Sequence, residues 1–111
     1  MMNYPQDRIR KHKLLTKELE RKLPLIGETD GKEDAEAVVK LFTPDSNWTW
    51  YLIEYSPEDE IAFAVCCGHE VELGYVSIEE LANATGPMGL PIERDLYFKP
   101  TTLAEIAPEL F

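Results

Sequence analysis

Trp48-Thr49-Trp50-Tyr51-Leu52-Ile53-Glu54-Tyr55, then Ser56-Pro57-Glu58-Asp59-Glu60, then Ile61-Ala62-Phe63-Ala64-Val65-Cys66-Cys67 is the stretch that decides the fold. The first run is aromatic and β-branched, the composition of a strand. Strand alternation puts Trp48, Trp50 and Leu52 on one face and Thr49, Tyr51, Ile53 and Tyr55 on the other. Proline and acidic residues then turn the chain. The third run alternates large Ile61, Phe63 and Val65 with small residues. The large ones are expected to face the core, with the small ones under a helix or at the surface. A parallel crossover needs about a dozen residues, so a linker this short predicts an antiparallel pair.

Outward from this pair the same logic repeats. Ala37-Val38-Val39-Lys40-Leu41-Phe42 is strand-like, and Thr43-Pro44-Asp45-Ser46-Asn47 turns it into the tryptophan strand. After the Gly68-His69-Glu70 turn, Val71-Glu72-Leu73-Gly74-Tyr75-Val76 predicts a fourth strand, with Gly74 marking a bulge or a close backbone approach. Ser77 and Glu80 form a capping-box pattern for a helix running to about Ala84 and ending near Gly86. Gly86-Pro87-Met88-Gly89-Leu90-Pro91 is too rich in glycine and proline for regular structure. Glu93-Arg94-Asp95-Leu96-Tyr97-Phe98 predicts a last short strand, and Thr102 with Glu105 a C-terminal helix closed by Pro108.

Near the N-terminus, Leu15, Leu19 and Leu23 form an apolar stripe on a short helix capped by Thr16 and stopped by Pro24. Residues 1–13 are expected to be a flexible basic arm, and residues 14–111 a single domain. The predicted fold class is α+β: an antiparallel sheet of about four to five strands with short helices packed on one face.

Charge narrows the partners. Residues 1–23 hold seven basic and three acidic side chains, or +4; residues 24–111 hold four basic and eighteen acidic, or −14. So acidic a body repels phosphates and disfavours direct nucleic-acid binding; it suits a basic protein partner, or serves solubility alone. No apolar run has the roughly 18–20 residues of a spanning helix, and the start lacks a signal-peptide pattern. The expected location is cytoplasmic. The two cysteines, Cys66 and Cys67, are adjacent, so on a strand their sulfurs diverge and are expected to be reduced.

Cys66-Cys67-Gly68-His69-Glu70 lacks the ligand count and spacing of a zinc site, and position 73 is leucine where a metalloprotease needs a second histidine. A thiol nucleophile needs a lowered pKa, whereas Glu70 and Glu72 act to raise it. The Gly27–Glu36 loop lacks the Gly-Lys-Ser/Thr of a phosphate loop. No catalytic residue, metal ligand or cofactor is therefore assigned. Glu93 and Asp95 share one face of a strand; they are either an acidic site for a small hydrolase or ligand-binding domain, or solvated charge with Arg94 in a structural ion pair.

The candidate surface joins the Thr43–Trp48 turn, the Gly86–Pro91 loop and the Glu93–Asp95 segment. Asp45, Asn47, Trp48, Pro87, Gly89, Leu90, Glu93, Arg94 and Asp95 are its expected partner-binding residues. These types fix backbone shape and expose recognition groups, with Trp48 as anchor. The alternative is that the loop merely closes the sheet, with Arg94 paired to Asp45 or Glu72. Trp48 and Trp50 are either core or exposed hot spot.

The Thr43-Pro44-Asp45-Ser46-Asn47-Trp48-Thr49-Trp50-Tyr51 segment resembles the central signature of the bacterial domain of unknown function DUF2958. Glu72-Leu73-Gly74-Tyr75 with Ser77, the Gly86–Pro91 loop, Glu93 to Phe98 and the opening Lys13-Leu14-Leu15-Thr16-Lys17-Glu18-Leu19 extend the resemblance over about residues 13–100; Cys66-Cys67-Gly68-His69 lies outside it. The resemblance carries over no activity and no catalytic residues. It implies a setting on plasmids, phages and conjugative elements, sometimes beside antirestriction-like genes. The expected function is a non-enzymatic protein-binding domain, with inhibition of a host nucleic-acid-binding defence protein, anti-restriction or anti-CRISPR, as its specific form.

Overall fold

The tryptophan strand is the middle of the sheet. In the computed structural model, which describes residues 4–111, β3 (Thr49–Ser56) lies between β2 (Val39–Phe42) and β4 (Ile61–Cys67). β5 (Val71–Ser77) and β6 (Glu93–Arg94) complete an antiparallel sheet in the order β5-β4-β3-β2-β6. The expected first strand is interrupted at Val38. β1 (Glu36–Ala37) leaves the sheet and pairs instead with β7 (Thr101–Thr102). The protein is thus α+β, with a five-stranded antiparallel sheet, a two-stranded one and short helices.

The alternation within β3 changes at a bulge. Leu52 pairs with Ala64, but the next β4 residue, Phe63, pairs with Glu54, leaving Ile53 extra. Tyr55 therefore moves to the face of Trp50 and Leu52, not the face of Tyr51 and Ile53 that strict alternation gives. Glu54 becomes a buried carboxylate, 2 % exposed. Its oxygens accept the Gly27 and Thr29 amides, both at 2.8 Å, and the Thr29 hydroxyl, anchoring the glycine-rich loop to the sheet. Burial raises the Glu54 pKa, but these three donors outweigh it and hold the carboxyl below its ordinary value. Gly74 departs from expectation in the other direction: β5 pairs with β4 in unbroken register through it.

The main core lies on the Trp50–Leu52–Tyr55 face. Ala62 and Ala64 are fully buried there, because their small side chains leave room for Leu14, Leu15 and Leu23, which flank α2 (Lys17–Lys22) and its half-buried Leu19, and for Ile78 and Ala82 of α3 (Ile78–Asn83). Thr16 caps α2 by accepting the Leu19 amide at 3.2 Å, and Ser77 caps α3 by accepting the Glu80 amide at 3.2 Å. The opposite face carries Ile53 and Val65 under Leu103 and Ala107 of the α4 region (Leu103–Ile106). Packing on one face holds for α2 and α3, while α4 covers part of the other, because β1–β7 pairing carries the C-terminal segment across it. Thr102 precedes α4 but makes no side-chain capping bond. The last predicted strand stops after Arg94, where Asp95 turns the chain and its Oδ1 accepts the Tyr97 amide at 3.0 Å.

The expected basic arm is docked over its described part; residues 1–3 lie outside the described residues. Tyr4 is buried, and its hydroxyl donates to Glu60 at 2.9 Å; burial and that carboxylate push its pKa up to about 12. α1 (Asp7–Arg10) places Arg10 in the interior. Arg10 donates through Nε to the Ile92 carbonyl at 2.8 Å and through a terminal nitrogen to the Ala82 carbonyl at 2.7 Å, and pairs with Asp7. α3 has no basic residue in its last turn, so Arg10 supplies the cation that its C-terminal carbonyls favour. Composition marked this segment as polar; the unsatisfied end of a helix elsewhere gives its arginine a buried role.

Candidate functional site

Thr43 sets the tryptophan turn. Its amide donates to the Trp48 carbonyl at 3.0 Å, and its hydroxyl accepts the Trp48 amide at 3.1 Å. The turn aims Asp45 at the glycine–proline loop. Asp45 Oδ2 accepts the Met88 amide at 2.8 Å and the Leu90 amide at 3.3 Å. The carboxylate lies so close to Gly86 that a Cβ there would sit 1.7 Å from Oδ1. The Gly89 amide donates to the Gly86 carbonyl at 3.0 Å, and the Gly86 amide to the Leu90 carbonyl at 2.8 Å. One carboxylate and two internal bonds thus fix a loop whose Pro87, Met88, Gly89 and Leu90 are exposed.

Trp48 lies at the sheet end of the turn, 38 % exposed, while Trp50 is buried. Their rings stack at 6.2 Å between centroids. Gly68 lets the Trp48 ring rest on the next hairpin, since a Cβ at 68 would lie 2.4 Å from that ring. His69 meets the same ring edge-on at 5.8 Å. The indole is held on two sides and open on another, the arrangement of a fixed aromatic contact.

The third segment is joined to the first through β2. Leu41 pairs with Arg94 and Phe42 with Glu93. Lys40 approaches Asp95 at 3.8 Å, which ties one member of the acidic pair. Arg94 pairs with neither Asp45 nor Glu72: Asp45 is committed to the loop amides, and Glu72 is on β5 at the far edge of the sheet. Its Nη1 is buried without a hydrogen-bond partner among the described residues, and burial lowers its pKa. The Arg94 amide donates to His12 Nε2 at 2.9 Å, which requires that nitrogen to be unprotonated. A cleft of about 490 Å³ runs between His12, Lys40, Phe42, Glu93, Arg94 and Tyr97.

The structure therefore brings Asp45 together with Pro87, Gly89 and Leu90 as one brace and loop, with Trp48 on the same turn as Asp45 but resting on the Gly68–His69 hairpin, and Glu93, Arg94 and Asp95 on the adjoining strand end. Asn47 is exposed on the turn. Sequence reasoning missed Met88, 81 % exposed, and the Gly68–His69 support of Trp48. The signal was a glycine beside an aromatic-facing hairpin, legible only once the strand pairing is known. Cys66 and Cys67 are free and half-buried; burial raises both thiols, with Glu72 adding to Cys66 and Glu109 to Cys67. Among the described residues no group of three His, Cys, Asp or Glu side chains is arranged to hold a metal, and no helix is long and apolar enough to cross a membrane.

Fold and site define a small α+β domain that presents a braced glycine–proline loop at one end of an antiparallel sheet. The chain belongs to the DUF2958 family, described as a protein of unknown function, whose model matches residues 13–107. No curated protein and no solved structure matches it.

Proposed function

We propose that this chain is a non-enzymatic protein-binding domain that docks through the Trp48 turn and the 86–91 loop. One observation carries the reading: Asp45 fixes the loop through the Met88 and Leu90 amides while both side chains remain exposed. A loop fixed before binding loses little entropy on binding, and exposed apolar side chains on a rigid loop, with a part-exposed tryptophan on the turn that braces it, are the usual content of a binding hot spot. The net charge of −10 favours a basic partner. A nucleic-acid-binding host defence protein, its phosphate-binding surface occupied by this acidic body, is the specific form of the proposal. The mobile-element setting implied by the family resemblance supports that form.

The test is capture from bacterial lysate at about 0.1 M and about 0.5 M salt, with a variant carrying Met88→Ala and Leu90→Ala beside the wild type. The expected result is a captured protein that is lost at high salt and lost with the variant, whose melting temperature stays unchanged. Capture that the variant retains refutes the surface, and capture indifferent to salt refutes the basic partner.

A further inference from the structure

The sheet has two unlike edges. β6 closes one with two residues, while β5 closes the other with seven, all paired to β4 in unbroken register. Among the described residues, no backbone group of β5 has a hydrogen-bond partner on its outer side. Proteins guard such edges with proline, lysine, a bulge or brevity. Val71-Glu72-Leu73-Gly74-Tyr75-Val76-Ser77 has no proline, lysine or bulge and is not short; its one charged side chain is Glu72. Leu73 is 42 % exposed and Tyr75 66 % exposed, on one face of the strand, with the Tyr75 ring 5.1 Å from that of Phe63.

We propose that β5 pairs antiparallel with β5 of a second copy about a two-fold axis at Gly74, joining two sheets into one. A bare row of amides and carbonyls in this geometry is completed by another strand. Full overlap of the seven residues puts Val71 opposite Ser77, Glu72 opposite Val76, and Leu73 opposite Tyr75 of the second copy. The two exposed apolar side chains of each strand then cover each other, the kind of cross-strand pair that stabilises a ribbon.

Charge selects the same strip. Two bodies of net charge −10 repel, and β5 carries one charged side chain in seven. In this register the two Glu72 positions are four residues apart along the ribbon, about 14 Å, beyond the Debye length of about 8 Å at physiological salt. A single ribbon with two Leu–Tyr pairs is a small interface, below about 1,200 Å² of buried surface, so the association is weak and reversible. Added salt strengthens it by screening the repulsion between the bodies, opposite to its effect on a basic partner.

Sedimentation equilibrium from roughly 10 µM to 1 mM, at about 0.05 M and about 0.5 M salt, tests this. The mass should rise from 12.7 kDa towards twice that value, with more dimer at high salt. Tyr75→Lys should leave a folded monomer throughout, because an edge lysine resists pairing. Hydrogen exchange on the wild type needs no variant: the outer amides of β5 should slow as concentration rises. A monomer under all conditions overturns the proposal and leaves the edge to an extended segment of a different protein. Growth beyond two copies overturns it, as does a dimer that survives Tyr75→Lys or forms without slowing β5 exchange.

Discussion

Replacing Glu54 with glutamine isolates the charge on a buried anchor while keeping its shape. Glu54 is 2 % exposed and accepts two amides at 2.8 Å and a hydroxyl. A hydrogen bond to a charged group contributes about 1.5–3 kcal/mol net. Glutamine keeps one acceptor oxygen but turns an NH2 towards an amide donor, so at least one bond and the charge assistance on the others are lost. Because the Gly27–Thr29 loop can recover water when released, the cost is about 2–4 kcal/mol rather than three full bonds. At about 4–5 °C per kcal/mol for a domain of this size, the melting temperature should fall by roughly 8–20 °C at neutral pH. The pH dependence has a definite sign. The folded carboxyl titrates below its unfolded value, so the unfolded state binds the proton first as pH falls. The contribution is present above about pH 4.5 and is lost as pH drops through the folded value. Thermal melts of both proteins at pH 7 and towards pH 3 should therefore converge in acid. A variant melting within about a degree of wild type at neutral pH, or a gap unchanged in acid, would refute the anchoring argument.

Gly86→Ala should cost about 2–4 kcal/mol in denaturant unfolding, because its Cβ would lie 1.7 Å from Asp45 Oδ1 and expel the carboxylate from the loop. Trp48→Ala should lose about 1–3 kcal/mol, less than the roughly 3–5 typical of a fully buried aromatic, since the indole is part exposed on Gly68 and Trp50. A loss in the full buried range would place Trp48 in the core and remove it from the docking surface. His12 has its pKa lowered by burial, with Arg94 and Arg10 acting in the same direction against Glu93 and the Arg10 backbone. Its contribution is thus present above about pH 6.5 and fades as pH falls, and His12→Gln should flatten the slope of stability between about pH 5 and pH 7.

Composition, alternation and turn chemistry determined much of this protein. They located the antiparallel hairpins, the Thr16 and Ser77 caps and the irregular loop before Pro91, because each follows from residue type and local spacing. They also grouped the turn and loop that Asp45 joins, since residues chosen for backbone shape stand out from the apolar strands. Tertiary structure decided what depends on distant partners. The β3 bulge, one residue in register, moved Tyr55 across the sheet and buried Glu54 against a loop far earlier in the chain. The end of α3 turned a basic N-terminal residue, Arg10, into an interior cap. Pairing of β1 with β7 sent the last helix to the second face. Periodicity records which residues are apolar and how they alternate. It does not record where a strand gains a residue, or which distant carbonyl needs a donor, because those are settled by pairing and desolvation in the assembled fold.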